Sequence, residues 1–202
     1  MWQSFVDKLV TRHTELKTDV ILMLNPRLPL LPLPMQRFDD PFFPFGKRVI
    51  DVSLGRVCGY MLDLASYLAL GAAGARALER TIRYIGKDIP KILHGPFVGP
   101  GYSAMADDIA FGVDALTILQ NSDLEHYLTN PPYAAFVVNN RPVDLLDAAQ
   151  QGGYFWQASQ VFTIRGPDGE TMQLRLTDDS LLYAGKNDDF AERIREKLDA
   201  FV

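Results

Sequence analysis

The stretch Asp19 to Asn25 (DVILMLN) sets the tightest limit on what this chain can fold into. Its interior is apolar without a break, it is too short for an ordinary helix, and Pro26 closes it. A run of this kind reads as a strand buried on both faces, as in a parallel sheet covered by helices. Similar runs recur at Val57 to Leu64 (VCGYMLDL), Ile89 to Phe97 (IPKILHGPF), Val113 to Leu119 (VDALTIL) and Ala134 to Val138. Between them lie segments with helical spacing at 3–17, 45–56, 65–86, 103–111 and 123–128. Gly71 and Gly74 interrupt the segment 65–86, which is therefore one helix or two. Strands alternating with helices at this spacing point to βα units and a parallel sheet or barrel.

Two regions depart from that rhythm. Residues 26–44 are rich in proline (Pro26, Pro29, Pro32, Pro34, Pro41, Pro44) and read as a long ordered loop. In the last third, Val161 to Arg165 and Thr171 to Leu176 flank Gly166-Pro167-Asp168-Gly169, the pattern of an antiparallel hairpin. Residues 181–184 read as a further strand and 188–202 as a closing helix, with Asp188 and Asp189 near its positive end.

Composition excludes several classes. With 202 residues, 48% of them hydrophobic and 22% charged, the chain is expected to form one globular domain spanning 1–202. A net charge of −5, with no Lys/Arg run longer than two, lacks the footprint of a nucleic-acid binder. A single cysteine, Cys58, excludes an internal disulfide and a cysteine-based zinc site, and it reads as a small buried strand residue. His13, His94 and His126 are too scattered to suggest a metal, and no cofactor is expected. Pro26, Arg27, Pro29, Pro32 and Pro34 break the stretch 20–35 well before the ~20 apolar residues of a membrane span. The N-terminal pattern is that of an amphipathic helix and not of a signal peptide, so the cytosol is the expected compartment.

Chemistry-bearing residues gather at the expected strand ends. His94 reads either as a ligand contact or general base, or as a half-buried histidine bonded to a loop carbonyl. Asp63, one strand earlier, is placed to orient it; Ser103 reads as a helix N-cap more readily than as a nucleophile. The segment His94 to Gly101 (HGPFVGPG) has the glycines of an anion cradle. Its two prolines remove donors and no lysine follows, so a rigid apolar lining is the preferred reading. Asn25, Asp63, His94, Gly95, Ser103 and Gln120 form the set of ligand-binding candidates. Tyr154, Phe155 and Trp156 read either as a cover for a pocket or partner surface or, preferably, as packing under a loop, and Asp107, Asp108, Asp123 and Glu125 as solvated helix faces.

Several stretches together resemble the bacterial type 2 orotidine 5′-phosphate decarboxylases. FVDKLVTR and DVILMLNP are similar to that family's opening helix and strand. FGKRVIDVSLGRVCGYMLDLASYLALGAAGARALERTIRYI follows its next helix, its strand Val-Cys-Ala-Tyr-Lys-Pro-Asn, and its helix Gly-x-x-Gly-x-x-Ala-Leu-Glu-Arg-Thr-Ile. IPKILHGPFVGPGYSA falls on the catalytic strand, FGVDALTI on the next, and LLYAGKNDDFAERIRE on the closing strand and helix. The resemblance covers roughly residues 1–140 and 178–200. It implies a TIM-type (β/α) barrel, of the ribulose-phosphate-binding kind, that works as a homodimer.

The functional residues of the family do not carry over. Its strand-2 lysine falls on Met61 and the neighbouring asparagine on Asp63. In its Asp-x-Lys-x-x-Asp, the residues become His94, Pro96 and Gly99. Its ribose-binding aspartate falls on Asn25, and its phosphate-binding arginine near Asp179. Its chemistry makes a carbanion that an ammonium stabilises and protonates, so the resemblance implies a scaffold with no catalytic residue retained. The expected function is therefore binding of a small, nucleotide-like molecule or of a protein partner, in the manner of a pseudoenzyme. Two alternatives remain open: a different chemistry using His94 and Asp63, and retained decarboxylation in pyrimidine biosynthesis. About 40 residues separate the fifth strand from the last, too few for a regular (β/α)8 ending. The barrel is thus expected to be truncated or irregular in its last third, either left incomplete or closed by the hairpin at 161–176. An uncovered edge would favour pairing with a second copy.

Overall fold

The apolar run at 20–24 becomes the first strand of a closed ring. The computed structural model describes residues 5–95, 100–119, 134–138, 152–156, 159–165 and 169–201. Its strands are β1 (Val20–Leu24), β2 (Gly59–Asp63), β3 (Lys91–His94), β4 (Ala115–Leu119), β5 (Ala134–Val138), β6 (Gly152–Trp156), β7 (Val161–Arg165) and β8 (Thr171–Leu176). Neighbours in sequence are neighbours in the sheet, and β8 returns to β1. Strands β1 to β6 pair in parallel. β7 runs against both its neighbours, so β8 again lies parallel to β1. The helices are α1 (Phe5–Leu16), α2 (Phe42–Ser53), α3 (Leu64–Leu68), α4 (Gly71–Ile85), α5 (Pro100–Ser103), α6 (Asp179–Leu182) and α7 (Phe190–Phe201).

Burial on two faces explains the unbroken apolar runs. Ile21, Met61, Ile92, Ala115, Phe155, Phe162, Ile164, Leu174 and Leu176 form one buried cluster, the filled interior of the barrel. Their strand neighbours Val20, Leu22, Tyr60, Leu62, Leu93, Leu116 and Ile118 belong to a second cluster, shared with the helices outside. Phe5, Val6 and Leu9 of α1 join the interior cluster, and Lys8 of the same helix donates to Asp114 Oδ1 at 2.6 Å and to the Lys87 carbonyl. α1 thus plugs the N-terminal end of the ring, leaving the C-terminal end for function.

Closure is by the hairpin, the second of the two expected alternatives. Instead of two more βα units, β6, β7 and β8 form an antiparallel meander. At the seam, Arg175 Nε and Nη2 donate to Asp19 Oδ2 and Oδ1 at 2.8 and 2.6 Å, and Nη1 donates to the Phe201 carbonyl at 3.1 Å. The Thr177 hydroxyl accepts from Met23 N, and Thr177 N donates to the Ile21 carbonyl. On the outside, Phe45 of α2 stacks on Tyr183 and Phe190, tying the first βα unit to the last helix.

The helical segment 65–86 resolves into two, α3 and α4, with Gly71 at φ +62° at the break. At Gly74 a Cβ would lie 1.7 Å from the Tyr67 carbonyl oxygen, so the close return of α4 over α3 requires glycine there. Three expectations are corrected. Residues 181–184 are not a strand: Asp178 accepts from Ser180 N and Leu181 N and so starts the short helix α6. The helix expected over 103–111 is only α5, followed by one 3-10 turn at Ala104–Ala106. Beyond it the Asp107 carbonyl accepts from Ala110 N and Gly112 N, and Ile109 is 98% exposed, with no apolar face to bury. Tyr154, Phe155 and Trp156 are not packing under a loop: they are strand β6, paired on both sides. The short helix expected at 123–128 lies outside the described residues.

Candidate functional site

At the C-terminal ends of the strands, parallel register places Asp63 of β2 beside His94 of β3. Alternation along β3 sends Ile92 and His94 inward, and Thr117 faces inward from β4 above Ala115. Asp63, His94 and Thr117 thus lie together at the barrel mouth. Thr117 is fully buried. Its hydroxyl lies 2.9 Å from His94 Nδ1 and accepts from Gly95 N at 3.2 Å. When the hydroxyl donates to Nδ1 the neutral ring carries its proton on Nε2; in the other tautomer Nδ1–H donates and the hydroxyl accepts both bonds. The imidazole edge also meets Phe155, with ring centroids 5.8 Å apart, and Phe155 stacks on Phe162 at 4.4 Å.

This setting keeps His94 neutral. Burial pushes its pKa below the ordinary value, and the nearby Asp63 charge pulls the other way without reversing the shift. No hydrogen bond joins the two side chains. Asp63 is committed elsewhere: it accepts from Ala65 N and Ser66 N at the start of α3, and Oδ2 accepts from the Ser66 hydroxyl at 2.9 Å. It is a helix cap, a role that stabilises by about 1 kcal/mol. The orienting partner of His94 is Thr117, which the sequence reading missed; its place in VDALTIL had no signal beyond lying one residue pair from a strand end.

A second polar group sits at the end of β1. Asn25 Nδ2 donates to Asp179 Oδ1 at 2.8 Å, and Arg27 forms an ion pair with the same carboxylate. The Tyr183 hydroxyl donates to the Asn25 carbonyl at 2.8 Å and accepts from Arg27 N, while the Arg27 guanidinium lies 5.3 Å from the Tyr183 ring centroid. Asp179 therefore carries its own counter-ion within the chain.

The other candidates separate. Gly95 belongs to the His94 group through Thr117. Met61 lies wholly inside the barrel. Ser103 closes α5 and makes no side-chain cap to the 3-10 turn after it, which corrects the expected N-cap. Pro96, Gly99 and Gln120 lie outside the described residues. Among the described residues, no group of three or more His, Cys, Asp or Glu is placed to hold a metal, and no helix is long and apolar enough to cross a membrane.

Comparison with known proteins follows the scaffold. No family model matches the chain. It is 32% identical over 118 residues to an orotidine 5′-phosphate decarboxylase of Herpetosiphon aurantiacus, covering 56% of this chain and 44% of the relative. It is 30% identical over 142 residues to that of Thermomicrobium roseum, covering 67% and 50%. The chain thus spans about half the length of these curated relatives or less. Among solved structures, a Toxoplasma gondii protein provisionally assigned as an orotidine-monophosphate decarboxylase superposes with a TM-score of 0.61 at 25% identity, over 70% of this chain and 50% of the other. The orotidine-monophosphate decarboxylase of Leishmania donovani, at 21% identity and a TM-score of 0.59, shares the fold over 72% of this chain and 57% of its own.

Proposed function

We propose that this chain, a divergent homologue of the orotidine 5′-phosphate decarboxylases, binds a small nucleotide-like molecule at its barrel mouth without decarboxylating it. The observation that carries the reading is the composition of the mouth. Every lysine of the chain lies among the described residues, and Lys91 alone is on a strand, at the N-terminal end of β3. Decarboxylation through a carbanion calls for a cation held in a dry site. Among the described residues, the mouth offers instead a neutral imidazole, a buried hydroxyl and a carboxylate spent on capping a helix. These are hydrogen-bonding groups suited to a polar heterocycle.

A different chemistry run by His94 and Asp63 finds less support, because each side chain is bonded to another partner. A second copy of the chain is also part of the proposal. Leu28, Leu30, Leu33 and Phe38, in the loop after β1, are 43 to 57% exposed, and pairing would cover them.

The test is isothermal titration of the full chain with uridine 5′-phosphate and with orotidine 5′-phosphate, followed by an absorbance assay for loss of the substrate. Binding without turnover supports the reading. Turnover at a substantial rate overturns the non-catalytic part. Absence of heat with both nucleotides overturns the nucleotide-like ligand. Sedimentation velocity at micromolar concentration checks the pairing, and a clean monomer removes it.

A further inference from the structure

We propose that Tyr102 of α5 positions His94 for ligand binding at the barrel mouth, acting through Thr117; this rests on the mouth being the nucleotide-like site proposed above. The two strands that carry His94 and Thr117 part early. The pairing of β3 with β4 ends at Leu93 and Leu116, one residue short of His94 and Thr117. The ladders on either side run further, β2 with β3 to Asp63 and His94, and β4 with β5 to Leu119 and Val138. At the mouth, therefore, backbone pairing between β3 and β4 does not fix His94 relative to Thr117.

Side chains bridge the gap instead. The Thr117 hydroxyl lies 2.9 Å from His94 Nδ1 and accepts from Gly95 N. Tyr102 grips the same residue from its backbone: the phenolic hydroxyl donates to the Thr117 carbonyl at 2.9 Å, with the Leu93 carbonyl also within reach at 3.3 Å. One hydroxyl thus touches the last paired residue of β3 and the residue that orients His94. Tyr102 is only 4% exposed, and a bond in such surroundings is stronger than in water.

Thr117 takes His94 Nδ1, while Nε2 has no hydrogen-bond partner among the described residues. Nε2 is therefore the atom left for a ligand, and where it sits follows from where Thr117 holds Nδ1. Among the described residues, Asp63 is the charged group that acts on the ring, and it is spent on capping α3. Removing the Tyr102 hydroxyl frees the Thr117 carbonyl, lets the strand ends part and admits water beside the imidazole. The burial that holds the His94 pKa below its ordinary value is then relieved. A hydroxyl that only held the fold together would lower stability without reaching the ring.

The experiment compares Tyr102→Phe with Tyr60→Phe in the full chain. Tyr60 is also buried, and its hydroxyl lies 2.8 Å from Ser53 Oγ among the outer helices, away from the mouth. Each variant loses one buried hydrogen bond, so both should melt at similarly lowered temperatures. Each is then read by NMR titration of the His94 ring protons and by isothermal titration with uridine 5′-phosphate. In Tyr102→Phe the His94 midpoint should rise toward 6.5 and the affinity fall about tenfold, the scale of one hydrogen bond. In Tyr60→Phe both should match the parent. Thr117→Val tests the route: joined to Tyr102→Phe, it should bind no more weakly than Thr117→Val alone, because the link is already broken. An unchanged His94 midpoint in Tyr102→Phe, an equal change in Tyr60→Phe, or additive losses in the double variant overturns the assignment. No heat from the parent overturns the nucleotide-like ligand instead, and the His94 midpoints then decide the positioning by themselves.

Discussion

Replacing Thr117 with valine removes one hydroxyl and little else, since the two side chains have nearly the same shape. The hydroxyl serves two partners, His94 Nδ1 at 2.9 Å and Gly95 N at 3.2 Å, in a wholly buried position. Losing the histidine bond costs about 1 kcal/mol, and stranding the buried Gly95 N–H a further ~1–3 kcal/mol. The expected destabilisation is about 2–4 kcal/mol. With an m-value near ~2 kcal/mol/M, the urea midpoint should fall by about 1–2 M. Thr117→Ser is the matched control: it keeps the hydroxyl, loses a methyl, and should cost only about 1 kcal/mol. Valine tolerated as well as serine would refute the reasoning, because packing would then matter more than the hydrogen bonds. The same site has a pH signature. His94 titrates below its ordinary value of 6.5, so the unfolded chain takes up the proton first as pH falls. Stability from this residue should decline below pH 6.5 and level off beneath the folded-state value. NMR titration of the ring protons reads that value directly, and a midpoint above 6.5 would contradict the buried, neutral imidazole.

Two further outcomes follow from other parts of the fold. Arg175→Met opens the clip to Asp19 at the barrel seam; both side chains are more than a third exposed, so the loss should be about 1 kcal/mol or less and should shrink in high salt. Hydrogen bonds from Arg175 hold Asp19 below its ordinary 3.8, so this stability is present above that pH and lost as pH falls through the lower folded value; acid titration of the variant should lack that component, and an unchanged acid limb would count against the clip. Cys58 is buried, donates from Sγ to the Thr18 carbonyl, and has its thiol pushed up to about 12, so alkylation by iodoacetamide at pH 8 should be about 10³-fold slower in the native protein than in urea; comparable rates would mean that β2 opens far more readily than its packing implies.

The first half of the ring was legible because its signals are local. DVILMLN and VCGYMLDL are continuous apolar runs, and they are strands buried on two faces. The glycines at 71 and 74 marked a real break between α3 and α4. The hairpin flanking residues 166–169 fell where its turn residues put it. Misreadings came where a neighbour decides. Tyr154 to Trp156 is a strand because β5 and β7 pair with it, and three aromatic residues after two glycines do not announce such partners. Residues 181–182 are apolar like a strand, yet Asp178 turns them into a helix by capping two N–H groups. At the site, His94 and Asp63 were visible as strand-end residues, but which of their hydrogen bonds form was not.

What the sequence determined by itself was the alternation of doubly buried strands with amphipathic helices, the scaffold these imply, and the replacement of lysine by Met61 and Pro96 at the positions where the resembling family carries it. Periodicity and residue type carry that information within a dozen residues. The tertiary structure alone decided that the ring closes through an antiparallel β7, that His94 is bonded to Thr117, and that Asp179 is matched by Arg27. Each depends on the register between strands or on groups brought together from 23 to 152 residues apart, as for His94 with Thr117 and Arg27 with Asp179. A contact of that kind exists only once the closed sheet sets the distance between its partners.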